Sequence, residues 1–197
     1  MQVTIPRNRL LAALDAVAPA MANDSRRGFD ALHVDVGSIG GVQFAATDGH
    51  RLHVADVQGA AEGAVVGVVY FDAASVEKLR KALKAAKPKP RMDEPYVTIT
   101  ATHATIGADT VSLAKSTGEF PDISQVVPPV ADNKGAAFGV NPAYLAEAAE
   151  AASKIIGGRK DGAVRIQAGA TPLAPVRLDA YGEHGAFYAV VMPMRME

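Results

Sequence analysis

The chain has 197 residues, a formal net charge of −1 and no cysteine. This length allows a sizeable hydrophobic core, and the lack of cysteine excludes disulfides and thiolate metal sites. The charge argues against a wholly basic surface, the usual footprint of a general DNA binder, although one basic face balanced by acidic residues elsewhere is compatible with it. No apolar run approaches the ~20 residues of a membrane span. The N-terminus lacks the pattern of a secretory signal, so we expect a cytoplasmic protein with no membrane partner.

Hydrophobic periodicity predicts three copies of one unit: a short strand, an amphipathic helix and three further strands. In the first copy, residues 3–5 alternate as a strand. An apolar stripe at three- and four-residue spacing predicts the helix that follows it: Leu10, Leu11, Leu14 and Val17. The remaining strands of this copy are expected at residues 31–36, 42–46 and 52–57.

The second copy follows the same order. Residues 65–71 read as a buried strand, Asp72 is a plausible helix N-cap, and the helix runs from residue 73 to about residue 86. Prolines just beyond that point end the helix. The remaining strands of this copy are expected at residues 96–101, 103–106 and 111–115.

The third copy opens with a strand at residues 136–140, with Asn141 as the cap and Pro142 at the first helical position. Gly157 ends this helix. The last strands are expected at residues 163–167, 176–180 and 187–191. Residues 118–135 contain two consecutive prolines and predict an extended linker. The alternative is an arbitrary α+β domain whose elements repeat by chance.

The C-terminus is unusual because it is apolar and rich in methionine, whereas chain ends are ordinarily polar and frayed. Methionine suits a surface that accepts apolar partners of varying shape. Residues 190–195 read VVMPMR, 46–52 read ATDGHRL, 118–122 read GEFPD and 138–145 read FGVNPAYL. In order and spelling these four motifs resemble those of the bacterial replicative sliding clamp, the DNA polymerase III beta subunit.

The resemblance implies an α+β DNA-clamp fold of three strand-helix-strand-strand-strand units, with helices lining a ring interior and antiparallel sheets outside. It makes residues 1–117 a complete clamp-like domain of two units, 1–60 and 63–117. Residues 118–135 are then a linker, and residues 136–197 are half a clamp domain, completed by another chain. The family's first domain and the first half of its third have no counterpart. Because the family's rings contain twelve units, three units per chain imply a homotetrameric ring with dihedral symmetry.

In this family, partner proteins dock a short peptide with an apolar end between the middle and last domains. The matching positions predict a peptide-binding groove, which is apolar with a few polar groups. Its expected residues are Arg27, Thr47, Gly49, His50, Arg51, Leu52, Pro121, Val126, Asn141, Tyr144, Val190, Met192, Pro193, Met194 and Arg195. Two positions depart from the family pattern: Asp30 stands where an apolar residue is usual, although Phe29 beside it is a candidate substitute, and Gln125 stands where a basic residue is common. The alternative is that these residues merely seal a domain interface.

The resemblance also implies a channel lined by basic helices that attract DNA phosphates without reading sequence. The second predicted helix supports this, whereas the third presents Glu147 and Glu150. The expected DNA-facing residues are Arg7, Arg9, Lys78, Arg80, Lys81, Lys84, Lys87 and Lys154. A basic helix that is simply a solvated face is the alternative.

The sequence therefore predicts a DNA sliding clamp, a processivity factor that encircles duplex DNA and holds a DNA polymerase and other proteins by clamp-binding peptides. A clamp loader is a further expected partner. Asp48 and His50 lack an accompanying nucleophile motif, and the five histidines lack metal-ligand spacing. We therefore expect no enzymatic activity, no metal and no cofactor. Two alternatives remain: a decoy or modulator of a host clamp that binds peptides without forming a ring, and a fragment that pairs with a larger clamp subunit.

Overall fold

The structure is a computed structural model and describes residues 1–22, 29–86, 88, 94–116, 120–127, 138–157, 162–171 and 173–195. The first unit contains one helix followed by a short 3-10 turn, and five strands. Its elements are β1 (Gln2–Pro6), α1 (Arg7–Val17), the turn Ala18–Ala20, β2 (Ala31–Val36), β3 (Gly41–Thr47), β4 (Arg51–Gln58) and β5 (Ala60–Val65). Arg27 and Lys87, both predicted site residues, lie outside the described residues.

The second and third units repeat the order of strand, helix and three strands. The second consists of β6 (Gly67–Asp72), α2 (Ala73–Ala85), β7 (Tyr96–Thr100), β8 (His103–Ile106) and β9 (Asp109–Ser112). A single helical turn, α3 (Ile123–Val126), follows it. The third consists of β10 (Gly139–Val140), α4 (Pro142–Ile156), β11 (Val164–Gln167), β12 (Val176–Gly182) and β13 (Gly185–Val191), and ends with β14 (Pro193–Met194).

The strands form two large antiparallel sheets and one small one. The five-stranded sheet has the order β5-β1-β7-β8-β9, the seven-stranded sheet has the order β11-β12-β13-β4-β3-β2-β6, and β10 pairs with β14. The seven-stranded sheet joins the third unit to the first, because β13 pairs with β4 from Ala186↔Asp56 to Val191↔Arg51. The predicted α+β class and the repeated order of the elements are confirmed.

The three long helices cover the inner face of the sheets and close one continuous core. Leu10, Leu83 and Ile155, one from each helix, are fully buried against strand residues such as Phe44 and Phe187. Burying apolar surface of this kind contributes about 25 cal/mol per Å² and is the main stabilising term. None of the helices in the described part of the chain is long and apolar enough to cross a membrane.

The predicted helix ends are confirmed by their capping geometry. The Asp72 carboxylate accepts a hydrogen bond from the Ser75 N–H at 2.7 Å, and the Asn141 side chain accepts one from the Ala143 N–H at 2.9 Å. Gly157 ends α4 with a φ of 83°, the left-handed conformation that glycine adopts without strain. These contacts satisfy backbone groups that a helix end leaves without partners.

The structure differs from the predicted elements in three places. Strand β5 was not expected, since Glu62 and Gly63 in its sequence are poor strand formers. The linker was expected to be extended, but residues 123–126 form the helical turn α3. The short pair of β10 with β14 was also not expected, because two-residue strands leave no periodic pattern.

One buried histidine should make stability depend on pH. His53 on β4 is 0% exposed, its Nδ1–H donates to the Ala16 carbonyl at 2.9 Å, and burial lowers its pKa to about 4. The unfolded chain binds a proton near pH 6.5, whereas the folded chain does not until about pH 4. The contribution of His53 to the free energy of unfolding is therefore fully present above pH 6.5. It is lost as the pH falls from 6.5 to 4, and the total loss is about 3 kcal/mol.

We expect this loss to appear in urea unfolding curves measured between pH 7 and pH 4. His53→Gln should remove that part of the pH dependence, because the replacement does not titrate, while it lowers stability overall. Ser75→Ala, at another buried polar residue that does not titrate, is the control and should lower stability while retaining the wild-type pH dependence. Parallel curves for the wild type and His53→Gln would contradict the assignment.

Candidate functional site

A cavity of about 200 Å³ lies where β4 meets β13. Leu52 and Val190 pair directly across the two strands and form its floor. The cavity lies on the face of the sheet opposite the helices, because Leu52 and Val190 alternate with the core-facing side chains of their strands. Its lining residues are Phe29, Thr47, Gly49, His50, Arg51, Leu52, Pro121, Val126, Val190 and Met192. Most of the predicted groove residues are therefore brought together.

The segment at residues 120–127 forms one wall of the cavity. Phe120, Ile123 and Val127 pack on a small apolar cluster on the outer face of the sheet. That cluster includes Leu52 and Val190, so the contacts that anchor this segment continue into the cavity floor. They hold Pro121 and Val126 at the rim.

The turn between β3 and β4 is fixed by its own polar groups. The Thr47 hydroxyl donates to the Arg51 carbonyl at 2.7 Å and accepts from the Gly49 N–H at 3.1 Å. The Asp48 carboxylate accepts from the His50 N–H at 2.9 Å. Asp48 therefore holds the turn and is not paired with the His50 ring, which gives no support to an acid–base role.

Arg51 connects the cavity to helix α4. Its Nε donates to the Asp48 carboxylate at 3.1 Å, its guanidinium forms an ion pair with Glu147, and its Cζ lies 4.8 Å from the centre of the Tyr144 ring. The His50 ring stacks on the Tyr144 ring, with 6.3 Å between the ring centres. The cation at the cavity wall is thus already compensated by two carboxylates, and the cavity is predominantly apolar.

Some predicted groove residues lie outside the cavity lining. The side-chain oxygen of Asn141 caps α4, as expected from the sequence, and Asn141 does not line the cavity. Pro193 and Met194 form β14 beside β10, and Arg195 follows them at the exposed end of the described chain. Tyr144 is not part of the lining, but it contacts Arg51 and His50, which are.

Phe29 also lines the cavity, although we expected it only as a candidate substitute for the apolar residue that Asp30 replaces. Its aromatic side chain was the feature of the sequence that could have indicated a place in the lining. The approach of its ring to Gly49 depends on the fold and has no local pattern.

The predicted DNA-facing residues of α2 differ in exposure. Lys78, Lys81 and Lys84 are exposed, although the Lys81 ammonium lies 3.7 Å from the Glu77 carboxylate and the Lys84 ammonium lies 3.5 Å from the Asp15 carboxylate. Arg80 instead forms ion pairs with Asp15 on α1 and with Glu77, and the Lys154 ammonium donates to the Asp15 carbonyl at 3.1 Å. Asp15 thus gathers basic side chains from both neighbouring helices, which the sequence did not indicate.

Arg7 requires a correction. It is 7% exposed, its Nη1 donates to the Leu83 carbonyl at 3.1 Å, and its Nε lies 2.8 Å from the Glu94 carboxylate. A guanidinium buried between elements and already paired has no free donor face for phosphate. Arg9 is half-buried and reaches the Gln58 carbonyl at 3.4 Å, at the end of β4.

No protein-family model and no curated protein matches the sequence. Solved structures do match. The DNA polymerase sliding clamp of Pseudomonas aeruginosa, solved with a ligand, superposes with a TM-score of 0.73 at 19% identity, over 100% of this chain and 66% of that one. The fold is that of a bacterial sliding clamp.

Other clamps give the same result. The DNA polymerase III beta subunit of Thermotoga maritima has a TM-score of 0.63 at 14% identity, over 100% of this chain and 66% of that one. The Bartonella birtlesii clamp, bound to griselimycin, has a TM-score of 0.64 at 16% identity, over 99% of this chain and 66% of that one. The chain therefore spans about two thirds of the length of these clamps, and the resemblance to a shortened clamp is confirmed at the level of fold.

The position of Gly49 leads to a stability prediction with an internal control. Gly49 has a φ of 86°, and an added Cβ would lie 3.1 Å from Cε2 of Phe29. Gly63 has a φ of 74°, but no atom lies within 4 Å of its added Cβ. Gly63→Ala should cost about 1 kcal/mol from backbone strain alone, and Gly49→Ala should cost more because the Phe29 ring must shift. Urea unfolding of the two variants measures the difference, and equal losses would contradict the contact.

Proposed function

We propose that this chain is a shortened DNA sliding clamp, a non-enzymatic ring that encircles duplex DNA and holds a DNA polymerase by a peptide bound in the groove. The observation that carries the proposal is the cavity at the junction of β4 and β13, within a clamp fold. Most of the residues predicted from the motifs line that cavity, on the surface between the first and third units. A tether of this kind needs a binding groove and a closed ring, and no catalytic group.

The ring would consist of four chains. Residues 1–117 form a complete two-unit domain, 118–135 a linker and 136–197 a half domain that another chain completes. Four copies of three units supply the twelve units of a ring, and a clamp loader is a further proposed partner. The pairing of β4 with β13 supports this arrangement, since it already extends one sheet across two units of the chain.

The groove suits an apolar end of a peptide. Leu52, Val190 and Met192 supply apolar surface, and Met192 is 42% exposed, so it remains accessible to a ligand. The Arg51 charge is compensated by Asp48 and Glu147, so a highly acidic ligand gains little there. Pockets that bind peptide anchors combine apolar walls with few polar groups in the same way.

Helix α2 supplies the strongest candidate contact with DNA. Lys78, Lys81 and Lys84 are exposed on one side of it, opposite its buried stripe. Phosphate contacts through lysine are independent of sequence and weaken with salt, as sliding requires.

The decoy alternative has one observation in its favour: helix α1 presents Asp15, whose carboxylate engages basic residues of α2. A decoy would bind peptides equally well and would have no need of a DNA-facing surface.

Peptide binding is tested by fluorescence anisotropy with a labelled short peptide that ends in Leu-Phe. Met192→Glu should weaken binding by about tenfold or more, because it puts a charge into the apolar cavity. Met194→Glu is the matched control: Met194 is 55% exposed, belongs to the same tail and does not line the cavity. It should change affinity by less than about twofold. Absence of binding to the wild type, or equal losses in the two variants, would count against the groove.

DNA contact is tested by the salt dependence of binding to a duplex of mixed sequence. Lys81→Glu should reduce the slope of log affinity against log salt by about one, because one phosphate contact is lost. Lys115→Glu, at an exposed lysine outside the helices, should leave the slope unchanged. If the two variants behave alike, helix α2 does not face DNA.

A further inference from the structure

The first two units complete each other by exchanging strands. Strand β1 precedes α1 and pairs with β7, the first strand after α2, from Gln2↔Thr100 to Pro6↔Tyr96. Reciprocally, β6 precedes α2 and pairs with β2, the first strand after the 3-10 turn of the first unit, from Ala31↔Asp72 to Val36↔Gly67. Both pairings are antiparallel. Each unit therefore donates the strand before its helix to the sheet of the other unit.

The third unit also has a strand before its helix and a first strand after it. Within the described chain, neither of them takes part in such an exchange. Strand β10 precedes α4, but among the described strands it pairs only with the two-residue β14. Strand β11, the first strand after α4, pairs on one side with β12 and forms the edge of the seven-stranded sheet. An unpaired edge of this kind is a template for another strand.

Uncovered core surface lies beside this edge. Ile166 of β11 is paired with Leu178 of β12, so both side chains point to the side of the sheet that carries the helices. Leu178 is fully buried, whereas Ile166 is 51% exposed. The corresponding strand of the second unit has no such exposure, because its core-facing Val97 and Ile99 are covered once β1 is in place.

Among the described residues, helix α4 is likewise covered on one flank only. Lys154 donates to the Asp15 carbonyl of α1, and Glu147 pairs with Arg51, so this flank packs against the first unit. Ala149 lies about 160° round the helix from Glu147 and is exposed. The small side chain of Ala149 leaves room for a second helix to approach closely.

From this arrangement we infer that the β10–α4–β11 face is completed by the same face of a second copy of this chain. Strand β10 of each copy pairs antiparallel with β11 of the other, and the two α4 helices lie side by side across a two-fold axis. The occupant is a second copy because one sequence supplies both the donor strand and the open edge, in the exchange that already joins the first two units. This inference rests on the proposed function only in that a ring of four chains would use the contact as one of its joints.

Light scattering and native mass spectrometry of the full chain test the contact. The wild type should be an even-numbered oligomer, and Ile166→Asp should halve its mass by placing a charge in the joint. Ile39→Asp is the control, since Ile39 is 73% exposed in the turn between β2 and β3 and should leave the mass unchanged. A monomeric wild type, or an Ile166→Asp variant with the wild-type mass, overturns the inference.

A disulfide trap gives a second, independent readout, because the natural chain has no cysteine. Ala149→Cys should form a covalent dimer under mild oxidation, since the two helices meet at the two-fold axis. Ala61→Cys, at an exposed alanine of β5, is the control and should remain largely uncrosslinked. Equal crosslinking in the two variants overturns the proposed pairing of helices.

The experiments can contradict this inference and the proposed ring independently of each other. If Ile166→Asp halves the mass while the wild type fails to hold circular DNA, the strand exchange stands and the proposed function falls. If the wild type holds circular DNA and Ile166→Asp leaves its mass unchanged, the ring stands with a different joint.

Discussion

The antiparallel pairing of β4 with β13 is the interaction on which the rest of the molecule depends. It joins the third unit to the first in one seven-stranded sheet, seats α4 beside α1 and places Leu52 opposite Val190 at the cavity floor. Because side chains alternate between the faces of a strand, a slip of one residue would turn Leu52 towards the helices and remove the floor. The cavity is therefore a property of this register, and of a junction between units that lie far apart in the sequence.

The helices are less uniformly positive than those of a wholly basic channel would be. The Asp15 carboxylate pairs with Arg80 and Lys84, and its backbone carbonyl accepts from Lys154, so part of the positive charge near α1 is compensated within the protein. In the proposed ring, the exposed lysines of α2 would provide a few salt-sensitive contacts with DNA. Weak contacts of this kind suit a protein that is retained on DNA by its topology, since tight phosphate binding would oppose sliding.

Local features of the fold could be read from the sequence, and features that depend on distant contacts could not. The strands at residues 31–36 and 103–106 and the caps Asp72 and Asn141 follow from alternation and from side chains that bond to nearby backbone. The motifs likewise identified most of the cavity lining. The burial of Arg7, however, depends on Leu83 and Glu94, and the role of Asp15 depends on where three helices meet. Neither set of contacts can be inferred from the residue pattern of a single segment.

The central claim is that copies of this chain close into a ring around duplex DNA. It is tested most directly by assembling dilute protein in the presence of a nicked circular plasmid, raising the salt concentration, and separating bound from free protein by gel filtration. The account predicts that protein stays with the circle at a salt concentration that abolishes phosphate contacts, and that cutting the plasmid once releases it. Equal retention on circular and linear DNA, or loss from both, would contradict the account.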